Sequence, residues 1–435
     1  MVRMRGLLLP CAAAWQSLGA PDFLALRDGQ KDFSDLPCLE DGLEPLDAEW
    51  AQRPFVLRKC RGLLDRQADL EREALLEAVS GTQQEVRVGY SWSIAQNRGE
   101  GPRKMPLEDY LRHEMQTGLY DGETFLEPKY AFDMGLKLPG MPGREAIPKA
   151  IRDWNASSFS ADQAVTLQML GAARSAVGWH SHGASVQMTI FGRKRWFLYP
   201  RGQYPWGDGP GGGFSLTDWL QLVYPTLPEE QRPLECVVEA GDVVYVPDGW
   251  YHAVVNLADT VAAPGCHLEV SFQSPQMALE PQEAFKAMSL QMVQGLWQEH
   301  PDQVKEIAEA AAAYLDQGLT NDLHARRVLF YCLMQMDPDK ADKVILEGVA
   351  RDPFHVPLQF ELATWLAARA KEDDASALRR IRQLLPQWEP QLIANLRNQK
   401  AMWILNKFHR ALGDEQTADR YFDRLVELNE KGIDR

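Results

Sequence analysis

Positive charge is what this sequence has too little of: 46 lysines and arginines stand against 61 aspartates and glutamates, a formal net charge of −15 over 435 residues. A protein built to grip a nucleic-acid backbone needs a basic face, so no nucleic acid is expected as a partner. Long apolar runs are missing too. No stretch reaches the roughly 18 residues that a membrane-spanning helix requires. The six cysteines, at 11, 38, 60, 236, 266 and 332, include no CxxC pair, which argues against a thiolate zinc site. They leave open disulfides between Cys38 and Cys60 or between Cys236 and Cys266, with buried free thiols as the plainer alternative. The glycine-rich segment 207–213 is not followed by Gly-Lys-Ser/Thr, so it reads as a loop between strands and not as a phosphate cradle.

What is present is an ordinary globular composition, 45% apolar and 25% charged, in a chain long enough for two or three domains. Arg3 and Arg5 precede an apolar run from Gly6 to Ala14 and then small residues, the form of a signal peptide over residues 1–20. The sequon Asn155-Ala156-Ser157 fits the same route. The expected location is the secretory pathway (endoplasmic reticulum lumen or secreted), with the cytoplasm as the alternative. Residues 40–150 mix strand patterns at 54–58 and 86–90 with a helical pattern at 70–79. From 164 to 273 short apolar runs broken by Gly and Pro suggest an all-β barrel or sandwich. Beyond 281 the pattern turns helical. Three stretches, 329–353, 362–390 and 405–430, each pair two helices around the breaks Asp337-Pro338-Asp339, Glu372-Asp373-Asp374 and Gly413-Asp414-Glu415. Their irregular spacing suits a tetratricopeptide-like repeat or a plain helical bundle.

The sharpest chemical feature is His180-Ser181-His182. Within a strand, residues i and i+2 point to one face, so a strand there presents two imidazoles to one metal. A second segment, Gly241 to Pro247 followed by Gly249-Trp250-Tyr251-His252, reads as strand, turn and a histidine that begins the next strand. His252 is thereby the candidate third ligand, with Asn256 four residues along on the same face. Between the two segments, the period of 2 puts Lys194 with Trp196 and Leu198, and Arg193 and Arg195 with Phe197 and Tyr199. If the lysine face is interior, its cation calls for an anion such as a bound carboxylate. If it is exterior, the side chains snorkel. The pattern leaves both open. The other histidines, at 113, 267, 300, 324, 355 and 409, are expected to be ordinary surface or core residues.

The segments Gly-Arg-Lys-Arg-Trp-Phe-Leu-Tyr-Pro (192–200) and Gly-Trp-Tyr-His-Ala-Val-Val-Asn-Leu (249–257) resemble the JmjC (jumonji-C) cupin-like oxygenases. Arg53-Pro54-Phe55-Val56-Leu57-Arg58 and Pro106-Leu107-Glu108-Asp109-Tyr110 are similar to that family's N-terminal layout. The resemblance covers about residues 40–275. It implies a double-stranded β-helix (cupin/jelly-roll barrel) with flanking helices; with the helical pattern beyond 281, the expected fold is α+β, that barrel over 40–275 followed by an all-α, tetratricopeptide-like domain over 281–435. It also implies Fe(II) and 2-oxoglutarate as cofactors, a dioxygenase that hydroxylates a protein or peptide, and His180, His182 and His252 as the metal site. Lys194 matches the lysine that holds the distal carboxylate of 2-oxoglutarate; Gln187 and Asn256 fall where polar residues near the cosubstrate occur.

Position 182 departs from the family's His-x-Asp/Glu pattern, since His182 stands where the carboxylate ligand belongs; a similar subgroup of the family shares the departure. A neutral imidazole there leaves the site one charge unit more positive and removes the two-His, one-carboxylate triad. Three outcomes follow: a three-histidine iron site, a changed metal preference, or a site that binds without turnover. Ala173-Arg174-Ser175-Ala176-Val177 also lacks the Gly-Thr-rich approach of the family. The readings carried forward are therefore a 2-oxoglutarate-dependent hydroxylase, a catalytically silent adaptor that docks a partner on its helices, and a three-histidine dioxygenase that does not use 2-oxoglutarate.

Overall fold

Alternation of residue types along the strands decides which side chains face which layer, and the computed structural model makes that division explicit. It describes residues 34–37, 48–60, 72–89, 103–115, 128–133, 138, 141–154, 159–207, 215–257, 266–273, 288–316, 322–394 and 399–431. The expected signal peptide at 1–20, the sequon at 155–157 and the glycine-rich segment beyond Gly207 lie outside the described residues. The chain divides into two compact units, one formed by residues up to 201 together with 215–277, the other by 202–214 and 278–435.

In the first unit the strands are β1 (Ser34–Pro37), β2 (Phe55–Arg58), β3 (Glu85–Gly89), β4 (Arg103–Pro106), β5 (Tyr130–Asp133), β6 (Val165–Ala172), β7 (Ala176–His180), β8 (Ser185–Phe191), β9 (Arg193–Tyr199), β10 (Leu234–Glu239), β11 (Val243–Val246), β12 (Tyr251–Leu257) and β13 (Cys266–Gln273). They form a nine-stranded sheet in the order β1-β2-β11-β8-β13-β6-β5-β3-β4 and a four-stranded sheet in the order β10-β9-β12-β7. All described pairings are antiparallel except β1 with β2.

The expectation of a closed barrel is overturned. Neither sheet closes, for β1 and β4 edge the larger one and β7 and β10 the smaller. A barrel needs an unbroken ladder of inter-strand hydrogen bonds, whereas the chain between β7 and β8 steps from one sheet to the other. The two open sheets instead share a core in which Val56, Tyr130, Met169, Val244 and Val246 of the larger meet Val177, Trp196, Leu198, Val238 and Val254 of the smaller.

The larger sheet is buried on both faces. Phe55 and Leu57, Val186, Met188 and Ile190, and Val243 and Tyr245 point to its outer side, where helix α1 (Arg72–Val79) contributes Leu75 and Val79, and Tyr110, Leu111 and Trp154 complete the packing. The intervening Ser185, Gln187 and Thr189 of β8 are buried too, on the opposite face. The outer layer is therefore apolar and the inner layer carries a polar band. On the smaller sheet the outer side is covered by α2 (Leu216–Leu222), whose Trp219 packs edge-on against Trp179 and Phe197. Ser215 caps α2 by accepting from the Asp218 amide.

The second unit contains α3 (Leu290–Glu299), α4 (Pro301–Asp316), α5 (Leu323–Met336), α6 (Pro338–Arg351), α7 (Val356–Lys371), α8 (Ala375–Ala394), α9 (Gln399–Ala411) and α10 (Glu415–Lys431), a helical bundle in which sequential neighbours pack together. The three acidic breaks fall at helix junctions. Asp337 accepts from the Lys340 amide and caps α6, Asp374 accepts from Ser376 and Ala377 ahead of α8, and Asp414 accepts from Thr417 in α10.

The disulfide alternatives separate. Cys60 is disulfide-bonded, while Cys236 and Cys332 are buried free thiols, so the pairing of Cys236 with Cys266 does not form.

Candidate metal centre

His252 enters β12 opposite His180 of β7, the two being direct partners in the antiparallel register. The register shifts between His252 and Val254. Such a bulge re-aims side chains and is common beside functional sites. His182 arrives differently from the expectation. β7 ends at His180, and Ser181 and His182 lie in the turn beyond it. The strand period therefore does not bring the pair together; the turn does, held where the Gly249 amide donates to the His182 carbonyl at 3.0 Å.

The three rings converge. Their centroids lie 5.3 Å (His180–His182), 4.2 Å (His180–His252) and 4.6 Å (His182–His252) apart, and their ligating atoms all fall within 4.8 Å of one another. The Nε2 atoms of His182 and His252 are 3.1 Å apart. Two nitrogens bound to one ion at roughly 2.1 Å and about a right angle have this separation.

The tautomers agree with that geometry. Each Nδ1 sits against a carbonyl oxygen of the local backbone: His180 on Gly178 at 2.8 Å, His182 on Gly183 at 2.7 Å and His252 on Trp250 at 3.0 Å. A carbonyl can only accept, so Nδ1 carries the proton and the Nε2 lone pair is left for a ligand. Metal-bound histidines are oriented in this way. Charge state follows: burial, and then the repulsion of His182, bring the His180 pKa down from 6.5 to about 3. Burial also lowers His182, and burial with the charges of His180 and His182 takes His252 well below its usual value. All three are neutral near pH 7, the form that binds metal. Trp196 stacks on His252 at 5.8 Å and 26° and fixes its plane.

The remaining expected residues lie on the facing layers. Lys194 is the register partner of Asn256, and both are 1% exposed. The exterior alternative for the lysine face is thus excluded. Lys194 Nζ donates to the Tyr130 hydroxyl at 2.7 Å, across from the smaller sheet to the larger. Asn256 Nδ2 donates to Ser175 Oγ at 2.7 Å, and its Oδ1 has no partner. Gln187 is buried on the larger sheet with its Oε1 likewise unsatisfied, and Trp196 Nε1 is a third orphan. Three buried polar atoms without partners in one inter-sheet region are costly unless a polar guest or water completes them. Gly171 marks how tight the region is. A Cβ there would fall 2.3 Å from Ser175 Oγ, 2.4 Å from Tyr130 Cδ2 and 2.6 Å from Asn256 Nδ2.

Two features escaped sequence reasoning. Tyr130 lies remote from the motifs, and only its pairing with Gly171 across β5 and β6 brings it to Lys194. Asp248, buried and paired with Arg201 at 2.9 Å, is the carboxylate whose charge bears on His182. An acidic residue immediately before the Gly-Trp-Tyr-His segment was the available signal for it.

Comparison with known proteins agrees in place and kind. Residues 93–269 match the cupin-like domain family and include all three histidines and Lys194. JmjC domain-containing protein 8 of Homo sapiens is 45% identical over 92 residues, 21% of this chain and 34% of that protein. The lysine-specific demethylase JMJ21 of Arabidopsis thaliana is 34% identical over 186 residues, 36% of this chain and 18% of that protein. The 2-oxoglutarate and iron-dependent oxygenase JMJD4 of Gallus gallus is 40% identical over 96 residues, 20% of this chain and 23% of that protein. The chain spans about a third or less of the length of these relatives. Residues 93–269 thus match a cupin-like domain, and across it the chain is similar to JmjC domain-containing proteins and to a protein named as a 2-oxoglutarate and iron-dependent oxygenase.

Proposed function

We propose that the protein is an Fe(II)- and 2-oxoglutarate-dependent oxygenase that hydroxylates a protein or peptide. The observation that carries this reading is the convergence of three imidazoles, His180 and His182 half-buried and His252 buried, on the sheet that also buries the Lys194 side chain. His180, His182 and His252 would hold the metal. Lys194, supported by Tyr130, would bind the distal carboxylate of the cosubstrate, with Asn256 and Gln187 offering amide groups beside it. When bound, iron and 2-oxoglutarate supply an oxidation in which dioxygen is consumed, succinate and carbon dioxide leave, and one oxygen atom enters a substrate C–H bond.

The chain's own residues prepare that chemistry. The three backbone carbonyls hold the imidazoles in the ligating tautomer. Lys194 places a positive charge on the inner layer, where an oxo-acid's carboxylate finds little competition from water. Val177, Val254 and Trp196 line the shared core and exclude solvent.

One observation favours a second reading, a binding protein without turnover. His182 contributes no negative charge, so the site departs from the carboxylate-containing triad of non-haem oxygenases. Succinate release separates the two. Anaerobically iron-loaded protein given 2-oxoglutarate and oxygen with a peptide library releases succinate if the first reading holds. Iron uptake without succinate selects the second, and failure to take up iron removes the first. His182→Asp sharpens the comparison, for a gain of turnover identifies His182 as the residue that restrains it. The disulfide at Cys60 and the N-terminal apolar run support a place in the secretory pathway, because persistent disulfides belong to oxidising compartments. Peptide mapping without reductant that finds Cys60 as a free thiol removes that support.

A further inference from the structure

His355 was expected to be an ordinary core or surface histidine; it is a core residue, and one of its ring nitrogens has no partner. It caps α7, with its Nδ1 accepting from the Leu358 amide at 3.1 Å. An acceptor Nδ1 in a neutral ring fixes the proton on Nε2. That Nε2–H has no partner, and the residue is 2% exposed. A second buried donor nearby is in the same position: Arg327 Nε has no partner either, although Arg327 Nη2 is held by Glu361 at 2.7 Å and Tyr331 at 2.9 Å. The charges acting on the His355 ring, besides that of Arg327, come from His324 and Lys400, and all of them repel a proton. Lys400 belongs to the first turn of α9, whose amides add positive potential there. Two orphan N–H donors call for an acceptor, and the Lys400 and Arg327 charges, offset by the one Glu361 carboxylate, favour an oxyanion over a neutral guest.

Along α9, Lys400, Trp403 and Lys407 stand at i, i+3 and i+7, which puts them on one side of the helix, and Trp403 there belongs to a half-buried aromatic pair. Phe360 of α7 and Trp403 of α9 lie 4.8 Å apart, and Lys407 Nζ stands 4.4 Å above the Trp403 ring. An acidic group with an apolar neighbour therefore meets matching chemistry here.

We propose that the helical unit binds an acidic peptide segment, its oxyanion taken by His355 Nε2–H, Arg327 Nε–H and Lys400, and an adjoining apolar side chain held against Phe360 and Trp403. The oxyanion is a carboxylate or a phosphate monoester. This site is independent of the metal centre and does not rest on the oxygenase reading.

Calorimetric titration of the full chain tests it with three probes: a short leucine- and glutamate-rich peptide, the same peptide with phosphoserine in place of one glutamate, and inorganic phosphate. Saturable binding of at least one peptide is expected, and the tighter of the two identifies the oxyanion. Lys400→Gln weakens that binding about tenfold, as loss of one charge-assisted contact does. His355→Asn does the same, because asparagine keeps an acceptor for the helix cap and loses the Nε2–H. Neither substitution changes the metal content. The proposal is overturned if neither peptide saturates, if inorganic phosphate binds and the peptides do not, or if Lys400→Gln binds as the unaltered protein does.

Discussion

Lys194 and Arg195 are adjacent on β9, equally buried at 1% exposure, and opposite in what surrounds them. Arg195 faces outward beneath α2. Its Nε donates to Glu235 at 3.0 Å, and the Tyr224 hydroxyl donates to the other oxygen of that carboxylate. Burial and the Glu235 carboxylate push the Tyr224 phenol up to about 12, so it stays a donor. The outer charge is thus enclosed by a carboxylate, a phenol and aromatic rings, an arrangement complete in itself. Lys194 faces inward, donates to a neutral phenol, and shares its layer with orphan amide and indole atoms and three metal-competent imidazoles. Equal burial thus covers two different settings, an ion pair with Glu235 on the outer side and a hydrogen bond to the Tyr130 hydroxyl on the inner.

The largest effect expected from breaking that comparison is on the outer side. Arg195→Met leaves Glu235 buried without its cation, and unfolding by urea should show a loss of about 3–5 kcal/mol, while protein that remains folded still binds metal. On the inner side, Lys194→Met should weaken 2-oxoglutarate binding by about 10- to 150-fold, from the loss of a charged hydrogen bond worth roughly 1.5–3 kcal/mol. It should leave the metal stoichiometry unchanged when the two are titrated separately. A Lys194→Met protein that holds 2-oxoglutarate normally sinks the assignment of that residue.

pH sharpens the same contrast. The His180 pKa is lowered in the folded state to about 3, against 6.5 ordinarily. Below about 6.5 the unfolded chain takes up a proton that the folded chain refuses, so stability present above that pH is lost as pH falls toward 3. His180 alone should therefore cost metal-free protein of order 1 kcal/mol per pH unit between 6.5 and 5, given that one pKa unit corresponds to about 1.4 kcal/mol, and His182 and His252, lowered too, add slope of the same sign. Urea midpoints read at pH 7.5 and 5.5 check this, and His180→Asn should reduce the dependence without abolishing it. The Tyr224 phenol on the outer side, pushed up to about 12, adds no slope in that range.

The sequence made some of this legible and hid the rest for physical reasons. The meeting of His180 and His252 could be read because the order and spacing of the two segments that carry them are visible in the chain. The inward direction of Lys194 could not, since alternation fixes which residues share a face and not which face is interior. His182 was correctly placed at the site by the wrong route, for the turn after β7 and not strand alternation delivers it. Sheet closure depends on hydrogen bonds between remote edges, so the expected barrel became two open sheets. Tyr130 and the orphan N–H of His355 are products of packing, and no motif announces either.

The central claim is that His180, His182 and His252 form one metal site, and Co(II) titration followed by visible absorption tests it most directly. The account expects one equivalent of Co(II) per chain with nitrogen-ligand d–d bands, abolished by His252→Ala in protein whose circular dichroism is unchanged. Absence of Co(II) binding, or binding that survives His252→Ala with the same spectrum, would contradict it.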